Sequence, residues 1–322
     1  MKAIVQEEYG PPDVLQLKEI DKPAVGDRDV LVRVQAAAVH PGDYLVMTGM
    51  PYVVRLAFGL RKPRNSIPGR DVAGVVEAVG KSVTRFQPGD EVFGWCTAGA
   101  LAEYACAKER NFVPKPANLT FEQAAAVTVS ATTALQALRD KREVQPGQKV
   151  LITGASGGVG TYAVQIAKSL GAEVTGVCST RNVDLVRSIG ADHVVDYTKQ
   201  DFTQSGQRYD VILDNVEAHS LSECRRVLAP KGTYIPNRGS GGRWIGPLGR
   251  IVKARAVSLF VRQRLRPFLS MENNKDLVYL KELIESGKVT PVIDRTYPLV
   301  ESARALGYVG QGHARGKVVV TV

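Results

Sequence analysis

Residues 150–160 read Val150-Leu151-Ile152-Thr153-Gly154-Ala155-Ser156-Gly157-Gly158-Val159-Gly160. The apolar run predicts a strand from Lys149 to Thr153 that ends in a tight turn of small residues. Beyond the turn, Val159, Ala163, Ile166, Ala167 and Leu170 recur at helical spacing, which predicts a helix from Val159 to Leu170 with one apolar face. Small residues between strand and helix let the chain turn sharply and let its backbone approach a ligand. The helix N-terminus offers free N–H groups and the positive end of a dipole, which together suit a phosphate.

Outward from this turn the pattern alternates. Strands are predicted at Glu173 to Val177, His193 to Asp196, Tyr209 to Asp214 and Gly232 to Ile235, with helices at Val183 to Ile189 and Leu221 to Leu228. Such alternation is the mark of an α/β, doubly wound parallel sheet, the Rossmann arrangement. In that setting the glycine-rich turn reads as a dinucleotide site. The usual first glycine, counted back from Gly160, is here Ala155.

An NAD site places Asp or Glu at the end of the second strand to hold the ribose hydroxyls. Here that strand runs into Cys178-Ser179-Thr180-Arg181-Asn182, with no acid. Two hydroxyls and an arginine suit a 2′-phosphate, so NADPH is expected.

The first 120 or so residues read differently. Short strands such as Lys2 to Gln6, Val30 to Ala36 and Ala73 to Val79 are separated by Gly10-Pro11-Pro12, Pro41-Gly42-Asp43 and Pro88-Gly89-Asp90. After Pro114-Lys115-Pro116, Thr120 and Gln123 form a capping box ahead of helical runs from Glu122 to Val129 and Thr132 to Arg139. At the far end, Asp276 to Ser286 reads as an amphipathic helix closed by Gly287, and Lys317 to Val322 as a strand.

Composition excludes several classes. No apolar stretch approaches the ~18 residues of a membrane-spanning helix. Four scattered cysteines without a CxxC pair argue against a disulfide framework and a cysteine-rich zinc site. Met1-Lys2-Ala3-Ile4-Val5 lacks the layout of a signal peptide, so a cytoplasmic protein is expected. Net charge is +10, and residues 224–271 hold eleven Arg or Lys and no acid. Such a surplus attracts anions without choosing among them.

Read together, several segments resemble the medium-chain dehydrogenase/reductase superfamily, and within it the zinc-free quinone oxidoreductase (ζ-crystallin-like) branch. They are His40-Pro41-Gly42-Asp43, Pro68-Gly69-Arg70-Asp71-Val72-Ala73-Gly74-Val75-Val76, Gly99-Ala100-Leu101-Ala102-Glu103-Tyr104, Thr133-Ala134, the glycine turn, and Gly312-His313-Ala314-Arg315-Gly316-Lys317-Val318-Val319. The resemblance implies a GroES-like β-rich substrate domain, residues 1–120 completed by 265–322, with the Rossmann domain, 121–264, inserted and the active cleft between them. Zinc-dependent relatives carry Gly-His-Glu where this chain has Gly69-Arg70-Asp71, and no Cys or His lies between Cys106 and Cys178. Catalytic zinc needs about three protein ligands, so none is expected. Without a Lewis acid, alcohol oxidation loses its usual activator, whereas an electron-poor quinone or enone can still be reduced by positioned hydride transfer.

The resemblance implies these roles. Ser156, Gly157, Gly158 and Val159 face the pyrophosphate, and Ser179, Thr180 and Arg181 face the 2′-phosphate. Tyr197 approaches the adenosine and Thr133 the nicotinamide, Asn215 sits at the carboxyl-end crevice where ligands bind, and Asn237 and Lys317 are further cofactor contacts. His40, Asp43, Tyr44 and Tyr52 line the substrate side, where His40 or a tyrosine could donate a proton. Where relatives have Val-Gly-Gly after the fourth strand, this chain has Val216-Glu217-Ala218. A homodimer is expected, with a sheet edge near Ala256 to Val261 as the pairing strand. Three alternatives stay open: a zinc-independent NADP-linked alcohol dehydrogenase; a non-enzymatic crystallin-like protein binding NADPH or RNA, although no RNA-reading signature is present; and a peripheral membrane contact through Gly249 to Arg266.

Overall fold

Pleated, half-buried strands and glycine turns dominate the chain's two ends, and strand–helix alternation its middle. The computed structural model describes residues 1–322 apart from 98, 141–142, 238–241, 245, 247 and 259–260. The strands are β1 (Lys2–Gln6), β2 (Leu15–Glu19), β3 (Asp29–Val39), β4 (Asp71–Val79), β5 (Glu91–Trp95), β6 (Tyr104–Lys108), β7 (Phe112–Pro114), β8 (Lys149–Thr153), β9 (Glu173–Cys178), β10 (His193–Asp196), β11 (Tyr209–Asp214), β12 (Leu228–Pro236), β13 (Arg264–Leu265), β14 (Ile293–Pro298) and β15 (Lys317–Thr321). They fall into two units.

The first unit holds residues 1–132, 272–287 and 291–322. Its main sheet runs β14-β15-β3-β4-β5-β7, and β6 also pairs with β3. The long β3 serves several neighbours because residues 29–33 pair with β6 and residues 36–39 with β15, while its ladder to β4 shifts register between Leu31 and Val32 and again between Val34 and Ala36. Val32, Val34, Val72, Val92, Phe112, Leu306 and Val320 fill the core of this unit. β15 enters the sheet beside β3, so the C-terminal strand completes a sheet begun near the N-terminus.

The second unit holds residues 133–271 and 288–290. Its sheet is parallel throughout, in the order β10-β9-β8-β11-β12-β13. The strand order reverses between β8 and β11, the switch point where such folds bind ligands beyond the strand carboxyl ends. Leu151, Ile212, Leu228 and Tyr234 form its core.

Two readings of the sequence need correction. The capping box at Thr120 and Gln123 opens a helix of only Phe121–Ala125, and a second helix spans Thr128–Leu135. The expected edge strand from Ala256 to Val261 is not there: residues 256–258 close a helix, Leu248–Ser258, and residues 259–260 lie outside the described residues. Alanine and arginine are strong helix formers and extend the preceding helix. The sheet edge is instead the short β13. Among the described residues, no helix is long and apolar enough to cross a membrane.

Candidate active site

Gly154 leaves β8 with φ +61°, the left-handed conformation that glycine adopts without steric cost. It therefore makes the turn, and Ala155 need not. A Cβ on Gly160 would lie 2.1 Å from the Gly154 carbonyl oxygen, so only glycine lets the helix Gly158–Ser169 pack so closely. Gly157 caps that helix without any side-chain hydrogen bond to its first N–H groups. The buried Ser156 accepts a 2.9 Å hydrogen bond at Oγ from Asn182 Nδ2, which also reaches Ser179 Oγ at 3.2 Å. Asn182 Oδ1 is buried without a hydrogen-bond partner among the described residues. Asn182 thus fastens the glycine turn to the end of β9, a role with no sequence signal beyond its place after Arg181. An uncapped helix start, a close-packed turn and an orphan amide oxygen fit a dinucleotide.

Beyond β9, Ser179 is half-buried while Thr180, Arg181 and Tyr197 are exposed. Thr180 Oγ1 donates to Asp196 Oδ2 at 2.6 Å. The hydroxyls of Thr180 and Thr198 hold the Asp196 carboxyl down at about 2. A carboxylate therefore does stand beside the residues expected to meet the 2′-phosphate, arriving from β10 instead of β9.

At the carboxyl end of β11, Asp214 is a buried hub. It accepts from Thr153 Oγ1 at 2.7 Å, Tyr234 OH at 2.6 Å and the Glu217 N–H at 2.9 Å. Asn215 Nδ2 donates to the Thr153 carbonyl at 2.9 Å, and Asn237 Nδ2 donates to Asn215 Oδ1 at 2.7 Å. Two residues expected to contact the cofactor are thus joined to each other and, through Asn215, locked to β8. Burial first, and then the Asp214 charge, pushes the Tyr234 phenol far up, so it stays a donor. Glu217, in place of the family glycine, takes φ +64°. Thr133 is buried on the helix Thr128–Leu135.

The first unit gathers the remaining charged residues. His40 caps the helix Pro41–Thr48: its Nδ1 accepts from Gly42 N–H at 3.0 Å, while Asp43 Oδ2 accepts from His40 N–H at 2.9 Å. Burial, then Lys317 and Arg70, hold the His40 imidazole well below its ordinary value. A neutral ring whose Nδ1 is an acceptor is a hydrogen-bond donor at Nε2, so proton donation by an imidazolium is not its chemistry here. Burial, then the nearby Asp71 charge, raises the Asp43 carboxyl to about 7. Tyr44 packs its ring against Gly310. Tyr52 is partly exposed under the Arg55 guanidinium, 4.8 Å from its ring centre.

Two further ion pairs complete this cluster. Arg70 donates to Glu272 at 2.9 Å, and Lys317 to Asp71 at 3.0 Å. The latter corrects the reading of Lys317 as a cofactor contact: its ammonium is sealed inside the first unit against a carboxylate. Neither pairing carries a sequence signal, because the partners are distant along the chain. Among the described residues, no three His, Cys, Asp or Glu side chains are grouped as a metal site requires.

A β unit of the GroES-like type and a doubly wound dinucleotide unit define a two-domain dehydrogenase or reductase. Residues 26–117 match the family described as alcohol dehydrogenase GroES-like domain, and residues 189–320 that described as zinc-binding dehydrogenase. The latter match excludes the segments holding His40 and Arg70. The chain is 35% identical to a quinone-oxidoreductase homolog, chloroplastic, of Spinacia oleracea, covering 99% of this chain and 98% of that one. It is 34% identical to an NADPH-dependent alkenal/one oxidoreductase, chloroplastic, of Arabidopsis thaliana, covering 99% and 79%. The solved quinone oxidoreductase of Coxiella burnetii superposes with a TM-score of 0.87 at 30% identity, covering 100% and 99%. The chain belongs to the medium-chain dehydrogenase/reductase superfamily, in its quinone oxidoreductase branch, and is an oxidoreductase.

The expectation of a cytoplasmic protein is overturned. Relatives of this chain are named chloroplastic, and one from Mus musculus, 35% identical, mitochondrial. Of the segment Met1 to Val5, residues 2–5 belong to the strand Lys2–Gln6.

Proposed function

We propose that the protein is an NADPH-dependent reductase that transfers a hydride to a quinone or an α,β-unsaturated carbonyl without a metal. The observation that carries this reading is the Arg70–Glu272 ion pair, 2.9 Å long, at the position where zinc-dependent relatives present a ligand. A guanidinium cannot ligate zinc, so the chemistry must suit an acceptor that needs no Lewis acid. The relatives named for quinones, for alkenals and for NADPH support the same reading.

NADPH, when bound, supplies the hydride. Gly157 and the start of its helix hold the pyrophosphate, with Ser156 and Asn182 fixing the turn. Arg181 pairs with the 2′-phosphate, beside the hydroxyls of Ser179 and Thr180. Asn215 and Asn237, locked to Thr153, orient the nicotinamide end. A homodimer belongs to this reading, with β13 as the edge at which two sheets could join. The test is NADPH oxidation with a benzoquinone, a naphthoquinone and a short enone after prolonged chelation, beside NADP reduction with ethanol and a secondary alcohol. Turnover of the electron-poor acceptors alone is expected. Alcohol oxidation with no response to any of them overturns the reading.

A further inference from the structure

Two buried side-chain nitrogens of the first unit, His40 Nε2 and Arg70 Nε, have no hydrogen-bond partner among the described residues. The His40 proton sits on Nε2, because Nδ1 accepts from Gly42 N–H. The Asp43 carboxylate lies 3.4 Å from Nε2 but makes no hydrogen bond with it. Arg70 gives its outer nitrogen to Glu272, which leaves Nε–H unmatched. Both residues stand at one end of the β3–β4 ladder, where the last registered pair is Ala38 opposite Asp71. Their charges are mutually felt, since Arg70 helps keep His40 neutral.

An unmatched buried donor is costly, and two at one sheet end call for an oxygen acceptor. A guanidinium N–H favours an oxygen that carries negative charge. Lys317 cannot serve that oxygen, since Asp71 already holds its ammonium.

We propose that Arg70, tethered by Glu272, and the His40 Nε2–H receive the substrate oxygen that becomes negative during reduction. This rests on the reductase reading above. A hydride reaching the β-carbon of an enone forms a C–H bond and breaks the C=C π bond. The displaced electron pair moves to the carbonyl oxygen as an enolate, water then protonates the α-carbon, and the nicotinamide is left oxidised. In a quinone the same electron pair ends on a ring oxygen as the hydroquinone anion. Arg70 is then the group that sets the preference for acceptors ending in an oxyanion.

Two measurements test this. The first is kcat and KM of Arg70→Met, Arg70→Lys and Glu272→Gln with a naphthoquinone at saturating NADPH, with NADPH affinity read by fluorescence and folding by near-UV dichroism. Arg70→Met should lower kcat by roughly 10²–10³-fold, the scale of losing one oxyanion donor, with NADPH affinity unchanged. Arg70→Lys should recover part of the loss, and Glu272→Gln should fall between them and wild type. The second uses 4-nitrophenol as a stable stand-in for the oxyanion, titrated by absorbance in the complex with NADP. Wild type should lower the phenol's apparent pKa by about one unit, as a nearby positive charge does, and Arg70→Met should abolish the shift. Wild-type kcat in a folded Arg70→Met protein, or a phenol pKa that wild type leaves unshifted, overturns the proposal. If wild type reduces no acceptor, the reductase reading falls, and the phenol titration still decides whether Arg70 and His40 bind an oxyanion.

Discussion

Lys317 Nζ lies 3.0 Å from Asp71 Oδ2, with the two side chains 2% and 0% exposed. The pair joins β15 to β4 across the intervening β3, and Asp71 Oδ1 also accepts the Val129 N–H at 3.1 Å. Removing one partner of a buried pair strands the other charge, at a cost of about 3–5 kcal/mol. Lys317→Met should therefore lower unfolding free energy by that amount in urea while leaving the NADPH affinity of the folded protein intact. Lost NADPH affinity at unchanged stability would instead make Lys317 a cofactor contact.

Cofactor choice should divide between Arg181 and Asp196. Arg181→Ala should weaken NADPH binding by about 1.5–3 kcal/mol, the worth of a charge-assisted hydrogen bond, and barely change NADH. Asp196 is ionised and one hydrogen bond from Thr180, so it should temper the preference for a phosphorylated ribose. Asp196→Asn should raise the NADPH-to-NADH affinity ratio in fluorescence titrations. An unchanged ratio in both variants contradicts this placement of the 2′-phosphate.

How legible this was depended on how local each signal is. β8, β10 and β11 have the bounds that the sequence predicts: β8 and β11 are short, mostly buried apolar runs between turns, and the half-exposed edge strand β10 is marked by its β-branched Val194 and Val195. Asp196 has no signal in the sequence around β9, because it sits at the end of β10, which is beside β9 only in space. The hub at Asp214 likewise gathers Thr153, Tyr234 and Glu217, which only strand order brings together. Glu217 was visible as a departure from the family pattern, but only the fold shows that it keeps the glycine's left-handed conformation, at a cost of roughly 1 kcal/mol.

Asp43 predicts a pH effect. Its carboxyl is raised from 3.8 to about 7, so between those values the folded protein holds a proton that the unfolded chain has released. Stability from this group therefore falls as pH rises through the window. His40, kept neutral, acts in the opposite sense, its contribution being lost as pH falls below 6.5. Comparing Asp43→Asn with wild type isolates the first effect. The variant's Tm relative to wild type should be higher at pH 8 than at pH 5, and a constant difference contradicts the account.

Light scattering at micromolar concentration should give twice the 34.8 kDa chain mass. Substituting β13, for example Arg264→Pro, should shift the protein toward monomer if that edge joins two sheets. A wild-type monomer contradicts the dimer.

The account's central claim is direct hydride delivery to an electron-poor acceptor. It is tested most directly by NADPH carrying deuterium at the transferable C4 position, turned over with a short enone by the chelated enzyme, and NMR of the product. The account predicts deuterium at the β-carbon and solvent hydrogen at the α-carbon. Label at the carbonyl carbon, giving an allylic alcohol, or turnover that returns only with added zinc, would contradict it.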